Sequence, residues 1–248
     1  INYIPALPKQ QTYSLLAFYP YASQSRGEME FSSEVKYKIK KETALGGKYG
    51  TEITVNFSGA NSLDTIQIKG TDTKHLGYTS NYLGIGKEVY FRDLYVEITK
   101  KINKTWKGTI VYANQVYNKS IIQKPGSPSI YSNIIVADIT YKLKATSALR
   151  LELQNLQTKQ DHQDWAYALL EYTINENWFV AAGDQYNYGN KISHERYHYY
   201  MGNVGYTKNA NRITLSYGKQ REGIFCVGGV CRNVPASNGV TLSVTSSF

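Results

Sequence analysis

An all-β chain, folded as an antiparallel up-and-down barrel that crosses a membrane, is the class this sequence predicts. Three observations predict it. Period-two alternation recurs along most of the length while helical periodicity is scarce. The connections between alternating stretches fall into a short class and a long class, taken in turn. The chain closes on GVTLSVTSSF, an alternating strand whose last residue is the aromatic Phe248. A strand edge and an aromatic ring left at a terminus are poorly suited to water.

The alternation assigns about twelve strands, starting near Gln11, Gly27, Lys48, Lys87, Lys104, Ser132, Ser147, Trp165, Asn177, Arg196, Asn211 and Asn238. In the first, neither Leu15 with Ala17 nor Leu16 with Phe18 stands out as the outward set. Next, Met29, Phe31, Val35, Tyr37 and Ile39 oppose Glu28, Glu30, Glu34, Lys36, Lys38 and Lys40. Ile53, Val55 and Phe57 mark one face of the stretch 51–58. Ile135, Ala137, Ile139 and Tyr141 oppose Asp138, Thr140 and Lys142. Leu149, Leu151 and Leu153 alternate with Arg150, Glu152 and Gln154, and Ile213, Leu215 and Tyr217 with Arg212, Thr214 and Ser216. Strands of ten or more residues with wide apolar faces match a lipid band of roughly 25 Å better than the usual five or six residues of a soluble sheet. A soluble β-sandwich, propeller or other all-β binding protein is the rival reading.

A single domain over 1–248 is expected, with 1–10 a periplasmic lead-in and with long extracellular loops over 60–86 and 222–237. The short turns, such as KINK, KATS and NEN, then face the periplasm with the C-terminus. Mean hydropathy is −0.43, which an alternating barrel reaches because only every second residue must be apolar. No apolar run is long enough for a spanning helix. Aromatic residues gather toward strand ends, among them Trp106, Tyr112, Tyr117, Trp165, Tyr172, Trp178, Tyr186, Tyr199 and Tyr200, where interfacial belts belong. The net charge of +9 is spread over turns rather than along a basic helix, which argues against nucleic acid. Lysines near the short turns, such as Lys40, Lys41, Lys104, Lys144 and Lys208, suit anionic phospholipid headgroups instead.

The segments PALPKQQTYSLLAFYPYASQ, ETALGGKYGTEITVNFS, DWAYALLEYTINENWFVAAGDQYNYGN and REGIFCVGGVCRNVPASNGVTLSVTSSF resemble an outer-membrane β-barrel family of the Bacteroidota whose domain has no assigned function. The likeness is densest in the last hundred residues. It implies a bacterial outer-membrane location, members that continue upstream of Ile1, and a chain that forms the C-terminal part of a larger barrel. It brings no catalytic residue.

The last strand places Val240, Leu242 and Val244 on one face with Phe248 at its end, and so resembles the C-terminal insertion signal that the barrel assembly machinery reads in such proteins. Ser246 departs from that pattern. Cys226 and Cys231, in FCVGGVC, are joined by a run flexible enough for a disulfide; two ligands without a nearby His make the rival metal site poor. Of four histidines, His75 and His162 read as solvated loop residues, and His194 and His198 lack a third metal ligand in sequence. No nucleophile elbow, phosphate loop or cofactor fingerprint occurs, so no catalytic residue, metal or cofactor is expected and the chain is not read as an enzyme.

The polar faces place Glu30, Glu34, Glu52, Glu97, Asp138, Arg150, Glu152, Glu171, Asp184 and Arg212 toward the lumen. Such residues either line a water-filled path or pair across strands and fill the interior. The first gives a pore for solutes, with 60–86 folded inward as a constriction. The second gives a non-conducting structural or assembly barrel. Expected partners are outer-membrane lipids, lipopolysaccharide, the assembly machinery during insertion, and proteins at the outer loops.

Overall fold

The computed structural model describes residues 8–25, 27–70, 77–227 and 230–246. Phe248, His75 and the first seven residues of the 1–10 lead-in lie outside the described residues. Among the described residues thirteen strands form: β1 (Glu28–Ile39), β2 (Thr51–Gln67), β3 (Tyr78–Lys101), β4 (Trp106–Asn118), β5 (Ser129–Lys142), β6 (Ala148–Thr158), β7 (Trp165–Thr173), β8 (Trp178–Tyr186), β9 (His198–Lys208), β10 (Asn211–Gln220), β11 (Gly223–Val227), β12 (Val230–Val234) and β13 (Ser237–Thr245). One helical turn, α1 (Lys119–Ile122), is capped by the Asn118 side chain, which accepts from the Ile121 N–H.

Eleven strands make one antiparallel sheet in the order β1 through β10 and then β13, and β11 pairs only with β12. Each strand from β2 to β10 follows its neighbour directly, and β13 pairs back on β10 after the β11–β12 insertion, so the up-and-down topology is that read from the alternation. The sheet is not closed: no pairing joins β1 to β13 among the described residues. The connections at one end have two to five residues, with 209–210 between β9 and β10 the shortest, except for the eleven of 40–50. Those at the other end, which we term the outer rim, include 187–197 and 221–236.

Three expectations change. The strand placed near Gln11 does not form; residues 13–18 make a tight turn, with the Ala17 N–H donating to the Tyr13 carbonyl at 3.0 Å. The loop expected over 60–86 is largely strand. β2 and β3 stay paired from Thr51↔Lys100 out to Gln67↔Tyr78, with register shifts past Ala60 where the hairpin leaves the sheet. β4 meets β3 only from Phe91 onward, and β2 spans the same ribbon with Asn61 to Gln67 alone, so the bulged hairpin projects beyond the rim by roughly 20 Å at about 3.3 Å per residue. The bulged pairing needs Gly86, where a Cβ would lie 2.1 Å from the Ser62 hydroxyl and 2.5 Å from backbone oxygens. Finally, the loop over 222–237 contains the hairpin β11–β12.

Burial is inverted relative to a water-soluble sheet. Inward residues such as Val111, Ile134, Val136, Leu156 and Leu169 are buried. The outward residues of the same strands, among them Ile110, Ile135, Leu151, Leu153, Leu170, Leu215 and Leu242, are exposed apolar side chains. They form one continuous band around the sheet. Aromatic pairs end it on the short-turn side, Trp106 with Tyr141 at 4.5 Å and Trp178 with Tyr206 at 4.8 Å. On the rim side the outward face turns polar at Asn114, Asn133 and Asn155, and Asn114 donates to Asn133 at 2.9 Å.

Candidate functional site

The space enclosed by the sheet is occupied by the chain itself. The segment 8–22 bonds to strands around the whole curve, which is achievable only if the sheet wraps around it. Lys9 Nζ pairs with Glu34 on β1 at 2.5 Å and lies 4.9 Å over the Tyr95 ring. Gln11 donates to Asp93 on β3 at 2.9 Å, the Tyr13 hydroxyl to Asp138 on β5 at 3.2 Å, and the Ser14 hydroxyl to Gln185 on β8 at 3.2 Å. The Leu15 N–H donates to Gln154 on β6 at 2.8 Å, and the Leu16 carbonyl accepts from Gln115 on β4 at 3.2 Å. Nearer the rim, Tyr19 bonds to Asp161 and Tyr21 to Glu28.

Several of these bonds meet in one charged patch of the wall, on β5 and β6. Arg150 grips Asp138 through Nε and Nη2 at 2.9 to 3.2 Å and also bonds Glu152. Gln154 donates to Glu152 at 2.5 Å and accepts from Leu15, while Asp138 accepts from Tyr13. A bidentate guanidinium–carboxylate pair fixes orientation as well as charge, so the wall presents a rigid acceptor to the plug. Burial, with the Asp138 carboxylate beside it, raises the Tyr13 phenol above its ordinary range, which keeps it a donor at neutral pH. Tyr19 and Tyr21 are raised likewise, by burial first and by their partners Asp161 and Glu28 second.

Leu15 and Leu16 are fully buried against an apolar collar that includes Val111, Ile134, Val136, Leu156 and Leu169. A cavity of 490 Å³ opens on the rim side of this collar, lined by Phe18, Tyr167, Gln185, Tyr199, Lys219 and Arg221 among others. Another of 320 Å³ lies on the short-turn side, lined by Tyr13, Glu97, Lys107, Thr109, Asp138 and Arg150 among others. The plug therefore separates two polar vestibules. Arg221 stacks on Phe18 at 3.7 Å, and the hairpin β11–β12 runs from the rim down into the enclosed space beside the segment: the Cys226 sulfur is 2.7 Å from the Thr12 carbonyl oxygen, and Arg212, next to the short turn 209–210, donates to the Val227 carbonyl at 2.9 Å.

Nine of the ten residues read as inward-facing share the inward face by register. Glu30, Glu34 and Glu52 sit on the face of the buried Asn56 and Ser58. Glu97 follows Asp93 and Tyr95, and Asp138, Arg150, Glu152 and Glu171 are consecutive cross-strand neighbours. Arg212 lies 4.7 Å over the inward Phe179 ring. Asp184 is the exception. It pairs with Ala168 and with the exposed Tyr200, which puts it on the outward face, where it bonds His198 at 2.6 Å. It stands at the polar upper margin of the apolar band, beside the ring of His198 that stacks on Tyr186 at 3.9 Å.

Val240, Leu242 and Val244 are outward and exposed. Cys226 and Cys231 are register partners across β11–β12. Of the histidines, His162 comes only within 4.0 Å of Asp161, and no group of three or more His, Cys, Asp or Glu among the described residues is placed to hold a metal. What sequence reasoning missed is the plug. Its signal was present, since a stretch with apolar residues at consecutive positions and no outward set is one surrounded on all sides.

The chain belongs to the family of unknown function DUF6029, whose pattern matches residues 1–248. No curated protein and no solved structure matches it.

Proposed function

We propose, from a family membership that assigns no activity, that this chain is a bacterial outer-membrane β-barrel protein whose solute pathway is closed at rest by its own segment 8–22. The inverted burial carries the reading. An exposed apolar band that encircles a sheet costs far too much in water and is what a hydrocarbon layer requires. Its aromatic borders suit lipid interfaces, and the lysines beyond the short-turn border suit the headgroups of an inner leaflet. The short turns then face the periplasm, with the rim and the β2–β3 projection outside among lipopolysaccharide. Val240, Leu242 and Val244 offer the assembly machinery an apolar strand face during insertion. No enzymatic step is proposed.

Eleven strands already exceed the eight that side chains alone can fill. The space they enclose takes up the segment 8–22, with the hairpin β11–β12 beside it. The constriction is therefore assigned to this segment rather than to 60–86. Beside the apolar collar its seat is polar, in hydrogen bonds and the Lys9–Glu34 ion pair that water could replace, and a vestibule waits on each side. Those features suit a displaceable gate. We further propose that Cys226 and Cys231, opposed across β11–β12, form a disulfide that stiffens the hairpin beside the plug.

The second reading, a non-conducting barrel that binds partners, is favoured by the projecting β2–β3 hairpin, which exposes Ile66, Leu83 and Ile85. Planar-bilayer recording separates the two. A gated pore stays closed or flickers in the native chain and conducts steadily once Tyr13, Leu15 and Leu16 are replaced by Ser. Silence in both forms, with the altered barrel still folded by gel mobility, would contradict the pore and favour the partner-binding reading.

A further inference from the structure

The vestibule on the rim side of the collar holds positive charge that no carboxylate answers. Arg221, in the link between β10 and β11, lies 3.7 Å over the Phe18 ring and 5.7 Å over Trp165. Lys219, at the rim end of β10, has its Nζ 4.4 Å over the Tyr197 ring and 5.0 Å over Tyr199. Aromatic faces attract a cation but leave its N–H donors unspent. Neither side chain makes an ion pair or a hydrogen bond among the described residues. Lys9, Lys119 and Arg150, by contrast, each hold a carboxylate at 2.5 to 2.9 Å. Of the acids that act on Arg221, Asp161 is engaged by Tyr19 and Lys119, and Glu222 is exposed. Burial pulls the guanidinium below its ordinary range, and these neighbours do not restore it.

The same cavity supplies neutral donors and an apolar wall. Gln185 is buried; its Oε1 accepts from Ser14 at 3.2 Å, while its Nε2 has no acceptor among the described residues. The Gln220 Nε2 has none either. Both residues line the 490 Å³ space together with Phe18, Tyr167 and Tyr199. The rings of Phe18, Trp165 and Tyr199 follow one another at 5.0 and 6.1 Å, so the two cations bracket an aromatic row. Glu222 is the one acid in this wall among the described residues. The short-turn vestibule is different in kind, since Glu97 and Asp138 stand there beside Lys107 and Arg150, and Arg150 already holds Asp138. A concave space within the range of about 300–1,000 Å³, apolar-walled and with a few convergent polar groups, is the usual form of a small-molecule site.

We infer that the rim vestibule binds a small organic anion, a carboxylate carried on an aromatic ring. Arg221 and Lys219 take the carboxylate, the amides of Gln185 and Gln220 donate to its oxygens, and Phe18, Tyr167 and Tyr199 pack on the ring. A guanidinium that rests by its face on Phe18 keeps its edge free for a bidentate grip on a carboxylate. This goes beyond the pore reading, because a barrel that never conducts could hold the same ligand.

Calorimetric titration of the purified full-length protein in detergent, with benzoate as probe and neutral benzamide as its isostere, tests the inference. Benzoate is expected to bind one to one and at least about tenfold tighter than benzamide, as a charge-assisted hydrogen bond requires. Arg221→Gln and Lys219→Gln should each weaken benzoate about tenfold or more and leave benzamide unchanged. Lys219 lies away from the plug's own bonds, so its variant keeps the test valid if loss of Arg221 unseats Phe18. Lys107→Gln, in the other vestibule, should bind benzoate as the native chain does. No saturable binding, equal affinity for acid and amide, or undiminished benzoate binding in both rim variants would overturn the inference. Inorganic phosphate binding as tightly as benzoate would overturn the organic part of it. Planar-bilayer recording tests the pore separately: a silent barrel that binds benzoate keeps this inference, and a conducting one that does not bind it loses it.

Discussion

Shortening Leu15 to Ala tests how firmly the plug is seated. Leu15 is fully buried in the collar, and its N–H bond to Gln154 is a backbone bond that alanine keeps. The change therefore removes apolar contact alone. Leu→Ala substitutions at closed core sites cost about 2–5 kcal/mol, and about 3 kcal/mol is expected here because the collar is held by β-strands that cannot collapse into the gap. At about 1.4 kcal/mol per tenfold, the undocked fraction of segment 8–22 rises by about 150-fold. Hydrogen exchange of that segment, measured on the folded protein in lipid, reads this directly. Amides of residues 13–18 should exchange roughly a hundredfold faster while those of β5 and β6 keep their protection. Equal acceleration of plug and strands would mean that the segment is not a separable element. Unchanged exchange would mean that the collar does not hold it.

Tyr13→Phe keeps the ring and removes the bond to Asp138; about 1.5 kcal/mol, or roughly tenfold in plug exchange, is expected, at the low end for a charged acceptor because Arg150 still holds the carboxylate. Raising the pH has a definite sign. Tyr13, Tyr19 and Tyr21 have folded values above the ordinary 10, so their contribution is complete below about pH 10 and is lost as the pH climbs further; exchange of 8–22 should accelerate only in alkali, and a Tyr→Phe triple variant should flatten that rise. Leu153→Arg places a charge in the middle of the apolar band and should cost about 2–4 kcal/mol of barrel stability in lipid, read by urea unfolding in vesicles. Gly205→Val should lower the thermal midpoint sharply, since a Cβ there would stand 2.0 Å from the Phe179 ring. Asp184→Asn should leave the ion selectivity of any opened channel unchanged, because the carboxylate points away from the lumen; Glu97→Gln, in the short-turn vestibule, should shift it toward anions.

Strands that bury one face and present the other were legible because alternation states both faces at once. Arg150 with Leu151, and Glu152 with Leu153, could be read without coordinates, and their register gathers Asp138, Arg150, Glu152 and Glu171 as expected. The reading lost its grip where that contrast vanishes. TYSLLAFYPY shows no outward set because the collar surrounds it, and an apolar stretch without period reads as a strand from sequence alone. Along β8 the residues Phe179 to Gly183 are apolar or small on both faces, so Asp184 was placed by its charge rather than by its position. In 60–86 the strand continues beyond the sheet into a two-stranded ribbon with both faces open, and polarity there says nothing about backbone pairing. The β11–β12 hairpin hid in a segment read as loop for its Gly and Cys content.

The central claim is that the outward band meets lipid and the inward face does not. A nitroxide scan along β6, from Ala148 to Thr158 in reconstituted vesicles, tests it most directly. The account predicts collisions with oxygen that peak at Leu149, Leu151 and Leu153 and fall at Arg150, Glu152 and Gln154, with a water-borne nickel chelate excluded from the first set. Free access of the nickel chelate to Leu151 and Leu153 would contradict it and return the chain to the soluble all-β proteins.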